Sequence, residues 1–241
     1  MGARDMKKNN PYEAAQKFVE KYFSNCNGAL LAGSVIREEA TDTSDLDIVI
    51  FDVTVPSAYR ETFREFDWPI EAFIHNENSY KDFFDSDRER ARPSLPRMVS
   101  EGIILRDDGI MEAIRKEAIT LLKEGPEKWS EETIRLKRYF LTDALDDFIG
   151  CSNRAEGIFI ASTLAELTSE FVLRTNRKWI GTSKWIVRSL RAYDEEFTIQ
   201  FVEAFDTYYK TGEKEKIIYL VELIMEPFGG RLLEGFTLGK R

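Results

Sequence analysis

Histidine and cysteine are scarce in this sequence, and their scarcity excludes several kinds of functional site. The 241 residues include one histidine, His75, and two cysteines, Cys26 and Cys151. A histidine-rich zinc site and any mechanism that needs two histidines are therefore excluded. Because the two cysteines lie far apart in the sequence and have no pairing pattern around them, we expect no disulfide framework and a reducing, cytoplasmic location.

The sequence also lacks a surplus of positive charge, a long apolar run and a P-loop. Its 34 lysines and arginines against 43 aspartates and glutamates give a net charge of −9. Affinity for DNA or RNA depends mainly on neutralising phosphates, so we expect no nucleic-acid partner. No apolar run has the length that a membrane span needs, and residues 1–10 lack the apolar segment of a signal peptide, so no membrane partner is expected.

The most informative stretch covers residues 28–51. Residues 29–32 form a short apolar segment and Leu46–Phe51 a second one rich in β-branched residues, and both predict strands. Gly33 and Ser34 follow the first strand, and residues 35–40 have room for one or two helical turns. A glycine after a strand permits close approach of a ligand to the backbone, and the start of a helix favours a phosphate.

Two carboxylates mark the start of the second strand. Side chains alternate along a strand, so Asp45 and Asp47 point to the same face, with Cα atoms about 6.5 Å apart. Such a pair is repulsive unless a cation lies between the carboxylates, and Mg²⁺ is commonly held by one or two carboxylates plus phosphate oxygens. A third acid, Glu71, lies among apolar residues in another predicted strand, within residues 68–75.

Together, these elements resemble the DNA polymerase β-like nucleotidyltransferase superfamily. The resemblance rests on Gly33-Ser34, on residues 44–47 (Ser-Asp-Leu-Asp) and on Glu71, and it covers about residues 28–75. It implies transfer of a nucleoside monophosphate from an NTP, with ATP as the expected donor, to a hydroxyl group, with release of pyrophosphate.

The second half of the chain predicts helices only, and Gly125-Pro126 is the best boundary between the halves. Residues 138–143 (RYFLTD), the following Asp146-Asp147 and residues 179–185 (WIGTSKW) look like the helical domain of aminoglycoside nucleotidyltransferases. The predicted fold is an α/β nucleotidyltransferase domain with a small mixed sheet, residues 1–125, and an all-α substrate-binding bundle, residues 126–241. The resemblance places the active site in the cleft between them.

The resemblance also assigns roles to residues. Asp45 and Asp47 hold Mg²⁺ against the triphosphate, and a second ion is expected as in two-metal sites. Glu71 either ligates that second ion or takes the proton of the acceptor hydroxyl. Gly33, Ser34 and Ser44 bind phosphates. The partners implied are the NTP and a small hydroxylated acceptor of the aminoglycoside type, and the oligomeric state is a monomer or a homodimer.

Two groups of charged residues in the helical half leave alternatives open. Six basic residues and no acid lie between Glu170 and Asp194, and this basic run suits a triphosphate, with Lys184 as the leading candidate; a solvated helix face explains the same pattern. The acids of this half suit either a cationic acceptor or a plain helix surface: Asp143, Asp146, Asp147, Glu166 and Glu170. His75, on the face of Glu71, fits a residue that supports the site or a polar strand end.

Two other functions compete with a small-molecule nucleotidyltransferase. Small relatives of the catalytic domain act as antitoxins that modify or cap a helical partner, but here a helical half is fused to the catalytic one. A nucleotide-binding regulator without catalysis is the other alternative, and the complete acid set argues against it.

Overall fold

The computed structural model describes residues 9–239, and residues 1–8 and 240–241, including most of the polar N-terminus considered above, lie outside the described part. Backbone contacts divide the chain into two compact units, and the division falls between Glu124 and Gly125. The first unit contains a sheet whose strands are β1 Gly28–Ala32, β2 Leu46–Phe51, β3 Tyr59–Glu65, β4 Trp68–His75 and β5 Ile103–Asp107. Its helices are α1 Pro11–Tyr22, α2 Glu77–Glu89, α3 Ser94–Glu101 and α4 Met111–Glu124.

The sheet is mixed, in the order β3-β4-β2-β1-β5. Strand β4 runs parallel to β2, whereas the other neighbouring pairs are antiparallel. The parallel pair needs a crossover, and β3 supplies part of the connecting chain. The register of this pair places Leu46 beside Ile70 and Asp47 beside Glu71. Residues that are distant in the sequence therefore meet at the beginning of two central strands.

Both faces of the sheet are covered by helices. On one face, Ile48 and Ile50 of β2 pack with Phe18 of α1 in an apolar core. On the other face, Val49 and Phe51 pack with buried residues of α2, α3 and α4. Successive side chains of β2 thus enter two different cores. The acids lie on the second face, and Asp47 directly precedes the apolar residues of β2 on that face.

The sequence predicts two strands, residues 59–66 and 68–75, around a turn near Asp67, with a helix as the alternative for the first. In the structure, β3 and β4 form a hairpin with a two-residue loop. Both loop residues, Phe66 and Asp67, have positive φ angles, 51° and 68°. A loop of this kind matches the twist of the flanking strands and fixes their register, here with Glu65 opposite Trp68.

The sequence from Arg92 to Pro96 (RPSLP) predicts only a break after the preceding helix, whereas helix α3 begins within it in the structure. Proline is tolerated in the first turn of a helix, where the backbone N–H has no intrahelical partner, and Pro96 occupies that turn. Pro93 offers no side-chain cap to the helix. Instead, the buried carboxylate of Asp87 in α2 accepts the N–H of Leu95 at 2.8 Å. The capping carboxylate of Asp87 lies eight residues before Leu95, and a local search for capping residues does not find it.

The second unit is helical throughout its regular structure. Its elements are α5 Glu131–Gly150, α6 Arg154–Thr175, α7 Lys184–Tyr193, α8 Glu195–Thr211, α9 Glu215–Met225 and a 3₁₀ turn at Glu226–Phe228. The sequence predicts Ser130 as an N-cap, and the structure confirms it, since the side chain of Ser130 accepts the N–H of Thr133 at 3.1 Å. The core of this unit includes Leu145, Phe148 and Leu164.

This architecture confirms the predicted fold class, a mixed α/β sheet region followed by a helical region. Among residues 9–239, no helix combines the length and the apolar character that crossing a membrane requires.

Candidate metal centre

Three carboxylates converge at the start of β2 and β4. Asp47 and Glu71 are paired neighbours across these parallel strands, and Asp45 lies two residues before Asp47 on the same side. One oxygen from each of the three side chains lies within 4.8 Å of the others. All three residues are half-buried. The proximity of the three acids, which the sequence alone could only suggest, is therefore a property of the strand register.

Gly33 makes room for this cluster. It follows β1, whose last residue, Ala32, is paired with Asp47. A Cβ atom at position 33 would lie 2.0 Å from Oδ2 of Asp47, so any other side chain would collide with the carboxylate. Gly33 also has a φ of +82°, which side-chain-bearing residues rarely adopt. Glycine is thus required here both by the backbone conformation and by the position of the Asp47 carboxylate.

The two predicted phosphate-binding serines lie close to each other. Ser34 starts a four-residue 3₁₀ turn, Ser34–Arg37, which is the short end of the one or two turns expected. The hydroxyl of Ser34 donates to Oγ of Ser44 at 3.3 Å, and Oγ of Ser44 accepts the N–H of Thr41 at 2.8 Å. Because a single 3₁₀ turn has only a small dipole, the predicted phosphate binding would depend on hydroxyl and amide groups rather than on a helix terminus.

The surroundings of Asp47 disfavour the negative charge of its carboxylate. Burial, followed by the charges of Asp45 and Glu71, raises the pKa of Asp47 from 3.8 to about 6. Arg37 and Arg60 act in the opposite direction, but their effect is smaller. A carboxylate whose charge is penalised by burial and by two like charges is stabilised by any cation that binds among the three.

Arg60 is a residue of the site that the sequence interpretation missed. Its guanidinium forms an ion pair with Oε1 of Glu71 and lies 5.1 Å above the ring of Phe73. The hairpin loop could have revealed it: a two-residue loop at 66–67 places Thr62 opposite Glu71 and Arg60 opposite Phe73, on the same face.

His75 is the last residue of β4, which agrees with its interpretation as a polar strand end, and it is buried there. Its side chain is 3% exposed, and burial lowers its pKa from 6.5 to about 4, so the imidazole is neutral at pH 7. It lies four residues after Glu71, about 13 Å along the strand, and therefore does not reach the carboxylates directly.

The basic run of the helical unit is heterogeneous. Arg174 is buried and lies 5.3 Å from the ring of Trp129, Arg188 lies 4.9 Å from the ring of Trp185, and Arg191 pairs with Glu195 at 3.1 Å. Lys184 is exposed at the first position of α7. Its predicted contact with the triphosphate stays a prediction.

The acids of the helical unit are partly engaged with cations. Asp146 pairs with Arg231 at 2.9 Å and Glu170 with Lys137 at 2.8 Å. Asp143, Asp147 and Glu166 are exposed. Within residues 9–239, only Asp45, Asp47 and Glu71 form a group of three or more potential metal-ligating side chains.

The donor set fits Mg²⁺. Carboxylate oxygens are hard ligands, and Mg²⁺ is usually bound by a few of them together with water and phosphate oxygens rather than by a complete protein cage. The absence of a side chain at Gly33 leaves the space that the carboxylate of Asp47 occupies.

Comparisons with known proteins add little. No family model and no curated protein matches the chain. Among solved structures, a nucleotidyltransferase-like protein from Exiguobacterium sibiricum 255-15 is similar over 90% of this chain and 75% of its own, with 11% identity and a TM-score of 0.48. A similarity of this size carries no argument about activity.

Proposed function

We propose that the protein is a Mg²⁺-dependent nucleotidyltransferase that moves a nucleoside monophosphate from an NTP, with ATP as the expected donor, to a hydroxyl of a small molecule. The observation that carries this proposal is the convergence of Asp45, Asp47 and Glu71, with oxygens within 4.8 Å of one another, beside the Gly33-Ser34 turn. The sequence resemblance supports the same reaction.

In this proposal, Asp45 and Asp47 hold Mg²⁺, which neutralises charge on the phosphates when bound. The acceptor oxygen forms a bond to the α-phosphorus, the bond from phosphorus to the bridging oxygen breaks, and pyrophosphate leaves. Such a reaction requires mainly positioning and charge neutralisation from the protein. Ser34 and Ser44 supply hydroxyl groups on the side of the turn, where terminal phosphates need donors.

Glu71 has two possible roles, as ligand of a second ion or as the base that takes the acceptor proton. Its carboxylate forms an ion pair with the guanidinium of Arg60. Arg60 has 57% of its side chain exposed, so the pair is weakly held and the guanidinium is free to turn to a phosphate. Both roles remain within the proposal, and a substitution test separates them in the Discussion.

The remaining predicted site residues lie in the helical unit. We propose that exposed Lys184 contacts the triphosphate and that exposed acids of α5 and α6 bind a cationic acceptor of the aminoglycoside type. Asp143, Asp147 and Glu166 are the acids for which an acceptor amine is the natural counter-charge.

The proposal is tested by incubating the protein with Mg²⁺, each of four labelled NTPs and a panel of hydroxylated acceptors, aminoglycosides included. Pyrophosphate release and a labelled product should depend on Mg²⁺ and should be lost in Asp45→Asn. Mg²⁺-dependent NTP binding without turnover on any acceptor would favour a regulator, and label transferred to a protein would favour the partner-directed alternative.

A further inference from the structure

The first unit contains a cavity of about 570 Å³ beside β4, on the face of the sheet that carries the acids. We call it the β4 cavity and define it by six of its wall residues: Tyr59, Arg60, Phe73, His75, Phe83 and Met98. Its volume lies within the ordinary range of small-molecule sites. None of the roles proposed so far uses it.

The β4 cavity begins next to the metal centre. Phe73 and His75 follow Glu71 on the same side of β4, at about 7 and 13 Å along the strand. Arg60 belongs to both places, because it pairs with Glu71 and also lines the cavity. A ligand with phosphates at the acids and a body of nucleoside length would thus extend along β4 into the cavity.

The walls suit a flat ring. Phe83 is 45% exposed although it is a large apolar side chain, and its ring packs edge-on against His75 at 4.9 Å. Phe73 and Met98 add apolar surface, and Tyr59 adds a further ring. Aromatic faces of this kind stack on planar heteroaromatic groups without requiring a particular sequence of polar contacts.

One polar group of the cavity has no partner. Nδ1 of His75 is buried and makes no hydrogen bond within residues 9–239. A buried polar atom without a partner costs free energy, so a ligand atom that satisfies it gains affinity and specificity. Since the imidazole carries no charge at pH 7, its natural partner is the polar edge of an uncharged ring rather than an anion.

The charges of the cavity argue against a cationic occupant. Its one wall carboxylate, Asp87, is completely buried, pairs with Arg90 and accepts the N–H of Leu95. The other charged groups of the wall, Arg60 and Arg90, are positive. An aminoglycoside amine would find no free counter-charge there.

We propose that the β4 cavity binds the base of the donor nucleotide, with Phe83 stacking on the ring and His75 reading its polar edge. This inference rests on the proposed function for the identity of the donor. It adds a residue that determines specificity, His75, to a reaction for which the acids alone give no preference among NTPs.

The test uses three probes on the full chain: a non-hydrolysable ATP analogue with Mg²⁺, inorganic triphosphate with Mg²⁺, and adenosine. Removing a stacking ring costs about 5- to 100-fold in affinity, so Phe83→Ala should weaken binding of the analogue and of adenosine by that factor and leave triphosphate binding unchanged. Met98→Trp, which fills the cavity, should have the same selective effect. Tyr12→Ala removes a similarly exposed ring, 40%, from α1 on the other face of the sheet and should change nothing.

A second measurement addresses His75. His75→Phe keeps a ring of similar size and removes Nδ1, so stacking should persist while the ratio of affinities among the four NTPs moves towards one. Circular dichroism and thermal melting show that each variant is folded.

Two failures are distinguishable. If Phe83→Ala and Met98→Trp both bind the ATP analogue like the wild type, while Asp47→Asn abolishes its binding, the inference about the cavity is wrong and the metal centre stands. If Asp47→Asn binds Mg²⁺ and analogue normally, the proposed function fails, whereas loss of adenosine binding in Phe83→Ala still supports a ring site in the cavity.

Discussion

Replacing Asp47 by asparagine should stabilise the protein and at the same time destroy its metal centre. Asparagine keeps the shape of the side chain and removes a negative charge that is half-buried and adjacent to two other acids. In the absence of metal, that charge opposes folding. The variant should therefore unfold at a higher temperature than the wild type in metal-free buffer at pH 8.

The magnitude follows from the pKa of Asp47, which is raised from 3.8 to about 6 in the folded protein. Because folding favours the protonated form of Asp47, the stability that this carboxyl group contributes is fully present below pH 3.8. It is lost as the pH rises through about 6. The interval corresponds to about 3 kcal/mol of unfolding free energy at pH 8. For a chain of this length, each kcal/mol changes the melting temperature by about 2–4 °C.

The assay is thermal and urea unfolding of wild type and Asp47→Asn between pH 4 and pH 8, in a chelator and then in Mg²⁺ with a non-hydrolysable NTP. The advantage of the variant should be absent at pH 4 and complete at pH 8. With ligand at 100 times its dissociation constant, the wild type should gain about 2.7 kcal/mol and the variant nothing. Asp82→Asn, an exposed acid of α2, is the control for loss of charge. A variant no more stable than the wild type at pH 8 would refute the electrostatic argument, and an undiminished Mg²⁺–NTP shift would remove Asp47 from the metal centre.

Further substitutions test the other parts of the site. Gly33→Ala should lower the unfolding free energy by about 1–3 kcal/mol and abolish Mg²⁺–NTP binding, because the methyl group meets a carboxylate of the centre; a stable variant with normal binding would contradict the structure. Glu71→Gln should bind Mg²⁺–NTP nearly normally and turn over at least about 100-fold more slowly if it acts as the base, with Glu61→Gln as an exposed control on β3; loss of binding would identify a metal ligand instead. Lys184→Ala should weaken binding of NTP but not of AMP, with Lys128→Ala as an exposed control outside the basic run. Equal NTP affinity in Lys184→Ala and in the wild type would show an ordinary solvated lysine.

The sequence predicted those parts of the fold that depend on local patterns. Alternation marked β2 and β4, and the same alternation showed that Asp45 and Asp47 share a face. The turn near Asp67 fixed the hairpin, because two residues with positive φ leave only one register for β3 and β4. Helix α5 was marked by its cap, Ser130. Each of these signals lies within a few residues of the element it predicts.

The features that were missed depend on partners far away in the sequence. Helix α3 is capped by Asp87 of the preceding helix, so the local sequence around Pro93 and Pro96 indicated only a break. Arg60 becomes a residue of the site through the hairpin register. The burial of His75 depends on Phe83 and the rest of α2, which no pattern within β4 specifies. A single sequence contains such information only after the neighbouring strands and helices have been placed.

The pairing of β2 with β4 explains why negative charge is only partly compensated at the candidate metal centre. Glu71 has a counter-charge in Arg60, but the same register brings Glu71 beside Asp47, where Arg37 and Arg60 compensate only part of the repulsion. An ion pair to an exposed arginine contributes little free energy, so it does not fix the carboxylates against a stronger ligand. Gly33 permits this arrangement, because a Cβ atom at its position would lie 2.0 Å from Oδ2 of Asp47. A divalent cation that binds among the three acids therefore stabilises the folded protein. This stabilisation is measured as the difference in unfolding free energy between the metal-bound and the metal-free protein.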